Sequence, residues 1–352
     1  MQVKMQKFNF YLHLTFAKSR IIIIYKLNEL SDVFLYVLSV ISNRKKENIA
    51  MSERKSDLFP LFTWIRALHG HYAHKDIGNF NKNDWMARLD GENFINEISL
   101  PGSHDTCALY EPLSELAKCQ TYTVTDQLNM GVRYLDIRVN VVKGDLAISH
   151  GPIFQGITFD RVIEQCIDFL RKNPSETIIV SLKHELVSRD KKNEFNSLFM
   201  KRIEAHSDMW FTENRLPKLS EVRGKMVLIN RVKNLGIGID ASENWVHNGT
   251  SIIEHGDFRL HIQDKFKFEN VEEAWKLVTE HFYRILKEND GKKNLSINFH
   301  SGVLGYPHVL RVAKHVNAEF LKTVKDKKAH LGIAVFDFIT PEICNAVINT
   351  NA

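Results

Sequence analysis

Short apolar runs that end in polar or charged residues recur along residues 90–352 and constrain the fold more than any other feature. Each run has the length of a β-strand and is rich in Ile, Val, Leu or Phe. Neither an internal repeat nor a low-complexity linker divides this part of the chain. The eight runs, in order, are FINEISLPGSHD, VRYLDIR, LAISHG, TIIVSLKHE, KMVLINR, RLHIQDK, LSINFHS and GIAVFDF.

Helical patterns occupy several of the intervals between these runs. In DRVIEQCIDFLRKNP the apolar residues recur with the spacing of one helix face, and the Asn-Pro pair predicts where the helix stops. Similar patterns lie at about 191–206, 271–288 and 308–325. Alternating strands and helices imply a mostly parallel sheet with crossover helices. Eight strands favour an α/β fold of the distorted, irregular (β/α)8 TIM barrel type.

Two intervals make this barrel irregular. The segment VVKGDL, between the second and third runs, is too short for a helix, so one covering helix is missing there. Residues 232–258 contain Gly236, Gly238 and Gly249 without a helical period. We therefore predict an extended loop near the barrel mouth in this interval.

The distribution of charge argues against a broad basic surface of the kind that binds nucleic acid. Of 47 basic and 42 acidic residues, 10 and 4 lie in residues 1–55, which leaves 37 and 38 in the remainder. We therefore expect no nucleic-acid partner. The four cysteines have neither metal-site spacing nor the density of a disulfide scaffold, so free thiols are the simpler interpretation; a single Cys107–Cys119 bridge is the alternative.

Residues 1–60 carry the basic excess and are the hardest part to interpret. The segment VFLYVLSVI is apolar, but Lys26, Glu29 and Asp32 interrupt the windows of about 20 residues that a membrane-spanning helix needs. We expect an N-terminal extension that is poorly ordered or weakly associated with a membrane, with Met51 as an alternative start. A signal peptide is the other interpretation. The compartment is unknown: cytoplasmic or peripheral membrane is slightly favoured and secretion is the alternative.

The ends of the predicted strands carry many charged and titratable side chains. Parallel strands of a barrel end at one mouth, and alternation along a strand places residues two apart on one face. Buried ion pairs are a structural explanation for such residues, and a lone histidine among the 16 present is more often structural. Their combination nevertheless predicts one polar cavity, formed by His104, Asp105, Asp136, Arg138, His150, Lys183, Glu185, Arg231, Asp264 and Asp337.

Two histidines beside arginines and a lysine suit phosphoryl transfer without a metal. One imidazole removes a proton from the attacking hydroxyl and the other protonates the leaving oxygen, each contributing about 10²–10⁴-fold to the rate. An arginine can stabilise the charge on the phosphate in the transition state, which a metal could otherwise do. We therefore predict no cofactor and no catalytic metal.

The succession of motifs resembles the X domain of phosphatidylinositol-specific phospholipase C and is most similar to the short, metal-independent bacterial type. The resemblance covers about residues 85–350 and implies a distorted TIM barrel that cleaves phosphatidylinositol in membranes. The implied products are diacylglycerol and inositol 1,2-cyclic phosphate, with glycosylated phosphatidylinositol anchors as a further substrate class. It implies transient contact with a membrane surface, and we expect a monomer. The motifs are ISLPGSHDT, YLDIR, HGP, NPSETIIVSLKHE, RGKMVLINR, IQDKF and VFDF.

The resemblance also implies roles for the two histidines. His104 would be the general base for the inositol 2-hydroxyl, with Asp337 orienting it. His150 would be the general acid for the diacylglycerol oxygen, with Asp105 supporting it.

Arg138 would hold the phosphate, and Asp136 would position the charged groups around it. Calcium-dependent eukaryotic relatives have an acid-rich site where the bacterial type has this arginine, so the resemblance implies no catalytic calcium. Three further matched positions would bind the inositol hydroxyls, namely Lys183, Arg231 and Asp264.

Two aromatic residues complete the predicted site. The bacterial pattern has a tyrosine after QDK, where this sequence has Phe266; a phenyl ring can stack on the inositol face but lacks the hydroxyl. Core packing is the alternative role for this ring. Trp245, in the long interval, is the candidate for membrane contact.

Two other functions stay open from the sequence. A metal-dependent glycerophosphodiesterase or sphingomyelinase-type barrel would need a cluster of Glu and Asp ligands and would lose activity with a chelator. A catalytically silent X domain that binds inositol lipids or a protein would be expected to lack a catalytic group. His104, Arg138 and His150 are all present, which favours the enzyme.

Overall fold

The computed structural model describes residues 2–4, 11–17, 20–24, 82–111, 117–185, 192–287, 293–305, 309–324 and 327–351. The chain divides into two compact units, Met1–Leu58 and Phe59–Ala352. In the first unit, an antiparallel sheet consists of β1 (Gln2–Lys4), β2 (Tyr11–Ala17) and β3 (Arg20–Ile24). The predictions for residues 1–60 fall largely outside the described residues and stay predictions.

Strands and helices alternate through most of the second unit. Its strands are β4 (Leu100–Ser103), β5 (Tyr134–Val142), β6 (Asp145–His150), β7 (Ile153–Thr158), β8 (Ile178–His184), β9 (Trp210–Phe211), β10 (Met226–Asn230), β11 (Ile239–Asp240), β12 (Gly249–Glu254), β13 (Phe258–Asp264), β14 (Lys267–Phe268), β15 (Lys293–His300), β16 (Val303–Leu304) and β17 (Ile333–Phe336). Its α-helices are α1 (Val124–Asn129), α2 (Phe159–Lys172), α3 (Lys192–Ala205), α4 (Leu219–Val222), α5 (Val271–Lys287), α6 (Val309–Val324) and α7 (Pro341–Ile348).

The main sheet is a curled sheet of mostly parallel strands. Its order is β11, β10, β8, β5, β4, β17, β15, β13, β12, and neighbours from β11 to β13 are all parallel. Strand β12 is antiparallel to β13. Within the described residues no ladder joins β11 to β12, so the barrel stays open on that side. The predicted α/β class and distorted (β/α)8 architecture are confirmed.

All eight predicted runs contain strands, but one of them does not belong to the parallel wall. LAISHG forms β6, which pairs antiparallel with β5 in a hairpin. The hairpin turn consists of Lys143 and Gly144, whose φ angles of +54° and +75° suit a two-residue hairpin connection. The eighth parallel strand is instead β11, which lies in the interval 232–258. The prediction of an extended loop there was wrong, because the interval also contains β12.

The four helices predicted from periodicity are present as α2, α3, α5 and α6. Helix α2 shows why: the Thr158 side chain accepts the Arg161 N–H at 3.3 Å at the helix start, and the apolar stripe of the helix is buried against the sheet. None of the described helices is both long and apolar enough to cross a membrane. All four cysteines are free and buried, so the alternative Cys107–Cys119 bridge does not form.

Two histidines lie buried between the sheet and its covering helices. His281 on α5 has Nε2 3.1 Å from the Ser296 hydroxyl, and the His300 ring stacks on Phe336 with centroids 4.2 Å apart. Burial lowers the pKa of both imidazoles to about 3, so both are neutral in the folded protein near pH 7.

We expect acid to weaken this layer. Between the ordinary histidine pKa of about 6.5 and the folded value of about 3, the unfolded chain binds more protons, so the free energy of unfolding falls as pH decreases. Moving from pH 7 to 5 costs up to about 2 kcal/mol for each such histidine. His300→Phe keeps the ring packing and should reduce this dependence in urea titrations at the two pH values, whereas His315→Phe on α6 should not. An equal pH dependence in both variants would contradict the assignment.

Candidate active site

His104 and Asp105 follow β4 directly, at the carboxyl ends of the parallel strands. The His104 N–H donates to the Phe336 carbonyl on β17 at 2.9 Å, and the Asp105 N–H donates to Oδ2 of Asp136 at 3.1 Å. Asp105 has φ of +40°, a conformation that is uncommon for residues other than glycine. The turn holds both side chains at the barrel mouth, where they contact residues from other strands.

The His104 imidazole is held from both sides. Its Nδ1 lies 2.7 Å from Asp337 Oδ1, and its Nε2 lies 2.6 Å from Nη2 of Arg138. A guanidinium can only donate, so Nε2 is the acceptor and Nδ1 carries the proton. Burial lowers the pKa of His104, but the Asp337 carboxylate more than compensates and the pKa is raised above 6.5. The Gly302 N–H, at 3.3 Å, holds the other oxygen of Asp337.

Gln120 links the backbone of His104 to the end of β17, directly before Asp337. Its side chain is fully buried, and Nε2 donates to the carbonyls of His104 and Phe336, both at 2.8 Å. Its Oε1 accepts the Ile339 N–H at 3.2 Å. The amide therefore fixes the backbone on both sides of Asp337 relative to His104.

Arg138 occupies the centre of the mouth with only 11% of its side chain exposed. Nε and Nη2 donate to Oδ2 of Asp136 at 3.2 and 3.0 Å, while Nη1 lies 3.4 Å from Asp105 and 3.6 Å from Glu185. The second oxygen of Asp136 accepts from Arg231 at 3.2 Å. Burial would raise the pKa of Asp136, but these two guanidinium groups lower it well below its usual value. Asp136 is therefore ionised and holds both arginines.

His150 ends β6 and faces the same centre from another side. Its Nδ1 donates to the Ala117 carbonyl at 2.8 Å and lies 3.6 Å from Oδ2 of Asp105. This arrangement leaves Nε2 as the ring nitrogen available to a substrate. Burial raises the pKa of Asp105 above its ordinary value, although the nearby Arg138 and His150 oppose the shift.

The opposite side of the mouth contains a second set of paired charges. Lys183 Nζ lies 2.7 Å from Glu185 Oε2, and Arg231 Nη2 lies 3.5 Å from Asp264 Oδ2. The Trp245 ring stacks over the Arg231 guanidinium at 3.8 Å, and its Nε1–H donates to Asp264 at 2.8 Å. Burial lowers the pKa of Lys183. The pKa of Glu185 is lowered to about 2 despite its burial, because cationic neighbours stabilise the carboxylate.

The structure brings nine of the ten predicted site residues into one contact network. Phe266 lies at its edge: the ring is half-buried, 5.1 Å from the His247 ring, two residues beyond Asp264. The other nine are connected through ion pairs and hydrogen bonds, namely His104, Asp105, Asp136, Arg138, His150, Lys183, Arg231, Asp264 and Asp337.

The structure does not test the membrane contact predicted for Trp245, which stays a prediction. Its indole is half-buried, stacks on Arg231 and donates to Asp264, so it also lines the site. Its position in a glycine-containing interval gave no indication of this contact.

Glu185 was predicted as part of the polar cavity without a role of its own, and it pairs with Lys183 from the same face of β8. Two other contributors were not predicted. The Ala117 carbonyl and the Gln120 amide gave no signal, since a backbone carbonyl and a single buried amide carry no recognisable pattern.

Comparisons with known proteins agree with this arrangement. Residues 95–232 match the family model "Phosphatidylinositol-specific phospholipase C, X domain". The chain is 29% identical to a 1-phosphatidylinositol phosphodiesterase of Staphylococcus aureus over 292 residues, covering 76% of this chain and 92% of that protein. It is 29% identical to the enzyme of the same name from Listeria monocytogenes over 302 residues, covering 78% and 89%.

Two solved structures show the same fold. The phosphatidylinositol-specific phospholipase C from Listeria monocytogenes has a TM-score of 0.63 at 27% identity, with 77% of this chain and 99% of that chain covered. A pentafluoro-Phe-containing enzyme from Staphylococcus aureus has a TM-score of 0.69 at 25% identity, with 77% and 97% covered. The resemblance predicted from the motifs is thereby confirmed: residues 95–232 match the X-domain model, and the chain is similar in sequence and fold to bacterial phosphatidylinositol-specific phospholipases C.

Proposed function

We propose that the protein is a phosphatidylinositol-specific phospholipase C that releases diacylglycerol and inositol 1,2-cyclic phosphate without a metal. The observation that carries the proposal is the placement of two histidine–carboxylate pairs on either side of one buried arginine. The similar enzymes from Staphylococcus aureus and Listeria monocytogenes are both named 1-phosphatidylinositol phosphodiesterases, which supports the same substrate class.

His104 acts as the general base in this proposal. Its Nδ1–H is held by Asp337, so the lone pair on Nε2 can accept the proton of the inositol 2-hydroxyl. The 2-oxygen then attacks the phosphorus. Because Asp337 also stabilises the imidazolium that forms, the pair combines orientation with electrostatic support.

Arg138 binds the phosphate in this proposal. In the free site its Nη2 donates to His104 Nε2, so an incoming phosphate oxygen would replace the imidazole as acceptor. That exchange frees the base at the moment when the substrate binds. Asp136 keeps the guanidinium in place during the exchange, because it holds both Nε and Nη2.

His150 acts as the general acid. Its Nε2 delivers a proton to the diacylglycerol oxygen as the phosphorus–oxygen bond breaks, and the buried Asp105 carboxylate lies 3.6 Å from Nδ1, the other ring nitrogen. The proton taken up by His104 and the proton given by His150 balance, so a later water attack can restore both.

The inositol ring binds on the side of Lys183, Arg231 and Asp264 in this proposal. These residues offer both donors and an acceptor at the mouth, and Phe266 offers an apolar ring face without a hydroxyl. A solved Staphylococcus aureus relative at 25% identity was studied for modulation of its membrane binding, which supports action at a lipid surface.

Metal independence is supported by the pairing of the carboxylates with arginine and lysine side chains. Asp136 and Asp264 are bonded to arginines, and Glu185 pairs with Lys183, so these acidic groups already neutralise protein cations. Arg138 supplies the positive charge beside the reacting phosphate that a calcium ion would otherwise supply.

The activity can be tested by phosphorus NMR on phosphatidylinositol vesicles. We expect a cyclic inositol phosphate signal that survives EDTA and falls by about 10²–10⁴-fold with His104→Ala, since one proton transfer is removed. His247→Ala, at an exposed histidine outside the charge network, is the control and should keep the signal. Loss of product with EDTA would support the metal-dependent alternative, and no product from the wild type between about pH 5 and 8 would support a silent lipid-binding domain.

The pH dependence of kcat/KM tests the Asp337–His104 pair. Because the pKa of His104 is raised, the acid limb of a bell-shaped profile should lie above pH 6.5. Asp337→Asn removes the stabilising charge and should move this limb to lower pH while reducing the maximal rate. Asp264→Asn is the matched substitution at a residue proposed to bind inositol. It should raise KM and leave the acid limb of the profile at the same pH. A limb that stays in place with Asp337→Asn would exclude His104 as the titrating base.

A further inference from the structure

The thiol of Cys119 lies between the two histidine–carboxylate pairs, and the proposed reaction does not use it. Its Sγ is 4.0 Å from Nδ1 of His150. The ligand atoms of Asp105, Cys119 and His150 all lie within 4.8 Å of one another, and the same holds for His104, Cys119 and Asp337. One sulfur therefore reaches both the acid and the base of the site.

The Asp105 carboxylate is an independent sign of a ligand at this position. Its residue is 1% exposed, and within the described part of the chain neither carboxylate oxygen accepts a hydrogen bond. Its Oδ2 is 3.6 Å from His150 Nδ1 and 3.4 Å from Arg138 Nη1. Leaving a buried carboxylate without hydrogen bonds is unfavourable, so this oxygen pair has unused capacity to bind a cation.

We propose that Asp105, Cys119 and His150 form an inhibitory site for a soft divalent cation such as Zn²⁺ or Cd²⁺. Thiolate, imidazole and carboxylate are the donors that zinc sites use. The bound ion would occupy His150, the proposed general acid, and so would inhibit the reaction. This inhibition rests on the proposed phospholipase activity, whereas binding of the ion does not depend on that activity.

The distances are close to those of a tetrahedral site. Bonds of about 2.3 Å to sulfur and about 2.0–2.2 Å to nitrogen and oxygen place S and N about 3.6 Å apart, and N and O about 3.4 Å apart. The corresponding separations here are 4.0 and 3.6 Å. The third separation, between the sulfur and the Asp105 oxygens, lies within 4.8 Å, and the Ala117 carbonyl, 2.8 Å from Nδ1, has to move aside for an ion to bind that nitrogen.

Binding requires two protons to move. The thiol proton passes to solvent as the metal–sulfur bond forms. The proton that Nδ1 of His150 donates to Ala117 also leaves that atom: from the imidazolium it passes to solvent, and from the neutral ring it is replaced by a proton on Nε2, so the metal-bound imidazole is neutral. The loss of that hydrogen bond and the proximity of Arg138 oppose binding. The acidic residues of the mouth favour binding of a cation, because five carboxylates outnumber three cationic side chains there. The carboxylates are those of Asp105, Asp136, Glu185, Asp264 and Asp337, and the cationic side chains are those of Arg138, Lys183 and Arg231.

The second triad is the weaker candidate although it shares the same sulfur. Asp337 already holds His104 at 2.7 Å and accepts the Gly302 N–H, so both of its oxygens are engaged. Cys119 is itself buried, but the His150 side chain is 23% exposed, which provides a route from solvent to the first triad.

The test uses the full chain and compares Cys119→Ser with Cys166→Ser, a matched change at a buried thiol on α2. Cadmium titration should produce the ultraviolet charge-transfer band of a cadmium thiolate in the wild type and in Cys166→Ser, and not in Cys119→Ser. Zinc should inhibit the first two proteins reversibly with EDTA. Cys119→Ser should keep the basal activity and need at least about 100-fold more zinc, since even loss of an outer-shell partner costs 10–100-fold in affinity.

Each result decides the proposal. Equal inhibition of all three proteins by zinc, or a cadmium band that persists in Cys119→Ser, would overturn it. Absence of both the band and the inhibition in the wild type would overturn it as well. Cys119→Ala is a second variant in case the serine disturbs folding. If the wild type has no phospholipase activity, the cadmium band still reports the site, so failure of the proposed function remains distinguishable.

Discussion

The guanidinium of Arg138 is the group on which the rest of the mouth depends. It is nearly buried, with Asp105, Asp136 and Glu185 all within 3.6 Å. Removing such a charge from water costs several kcal/mol unless partners replace the lost hydration, so the carboxylates are needed for folding as well as for the proposed chemistry. They also raise the pKa of Arg138 well above its usual value. Each acidic neighbour thus has a structural reason to be present before any substrate binds.

The sheet explains why most of this site could be predicted from the sequence. Residues two apart on a strand share a face, and parallel strands end at the same edge, so polar residues at strand ends converge. Asp136 and Arg138 on β5 follow this rule, and Lys183 is the register partner of Arg138 on β8. The eight apolar runs and the apolar stripes of the helices could also be predicted, because both depend on local periodicity.

What could not be predicted depends on contacts between distant segments. The third run has the composition of a barrel strand, and the short connection before it, with Lys143 and Gly144 at positive φ, makes β6 fold back on β5 instead of joining the parallel wall. Strand β11 has two residues, too few for a periodic signal. The contact of Trp245 with Arg231 was not predicted, because an aromatic residue in a loop has the same sequence appearance whether or not it packs on an arginine.

In the proposed reaction, the contact between Arg138 and His104 links phosphate binding to activation of the base. In the free site the guanidinium donates to Nε2, the atom that must accept a proton in the proposed reaction, and the Asp337 contact keeps the other nitrogen protonated. The base therefore has its lone pair engaged until another acceptor draws the arginine away. A phosphate oxygen is the strongest acceptor that a lipid headgroup offers to a guanidinium. An inositol without a phosphodiester cannot make this exchange, so the geometry itself would restrict proton abstraction to substrates that bring the reacting group.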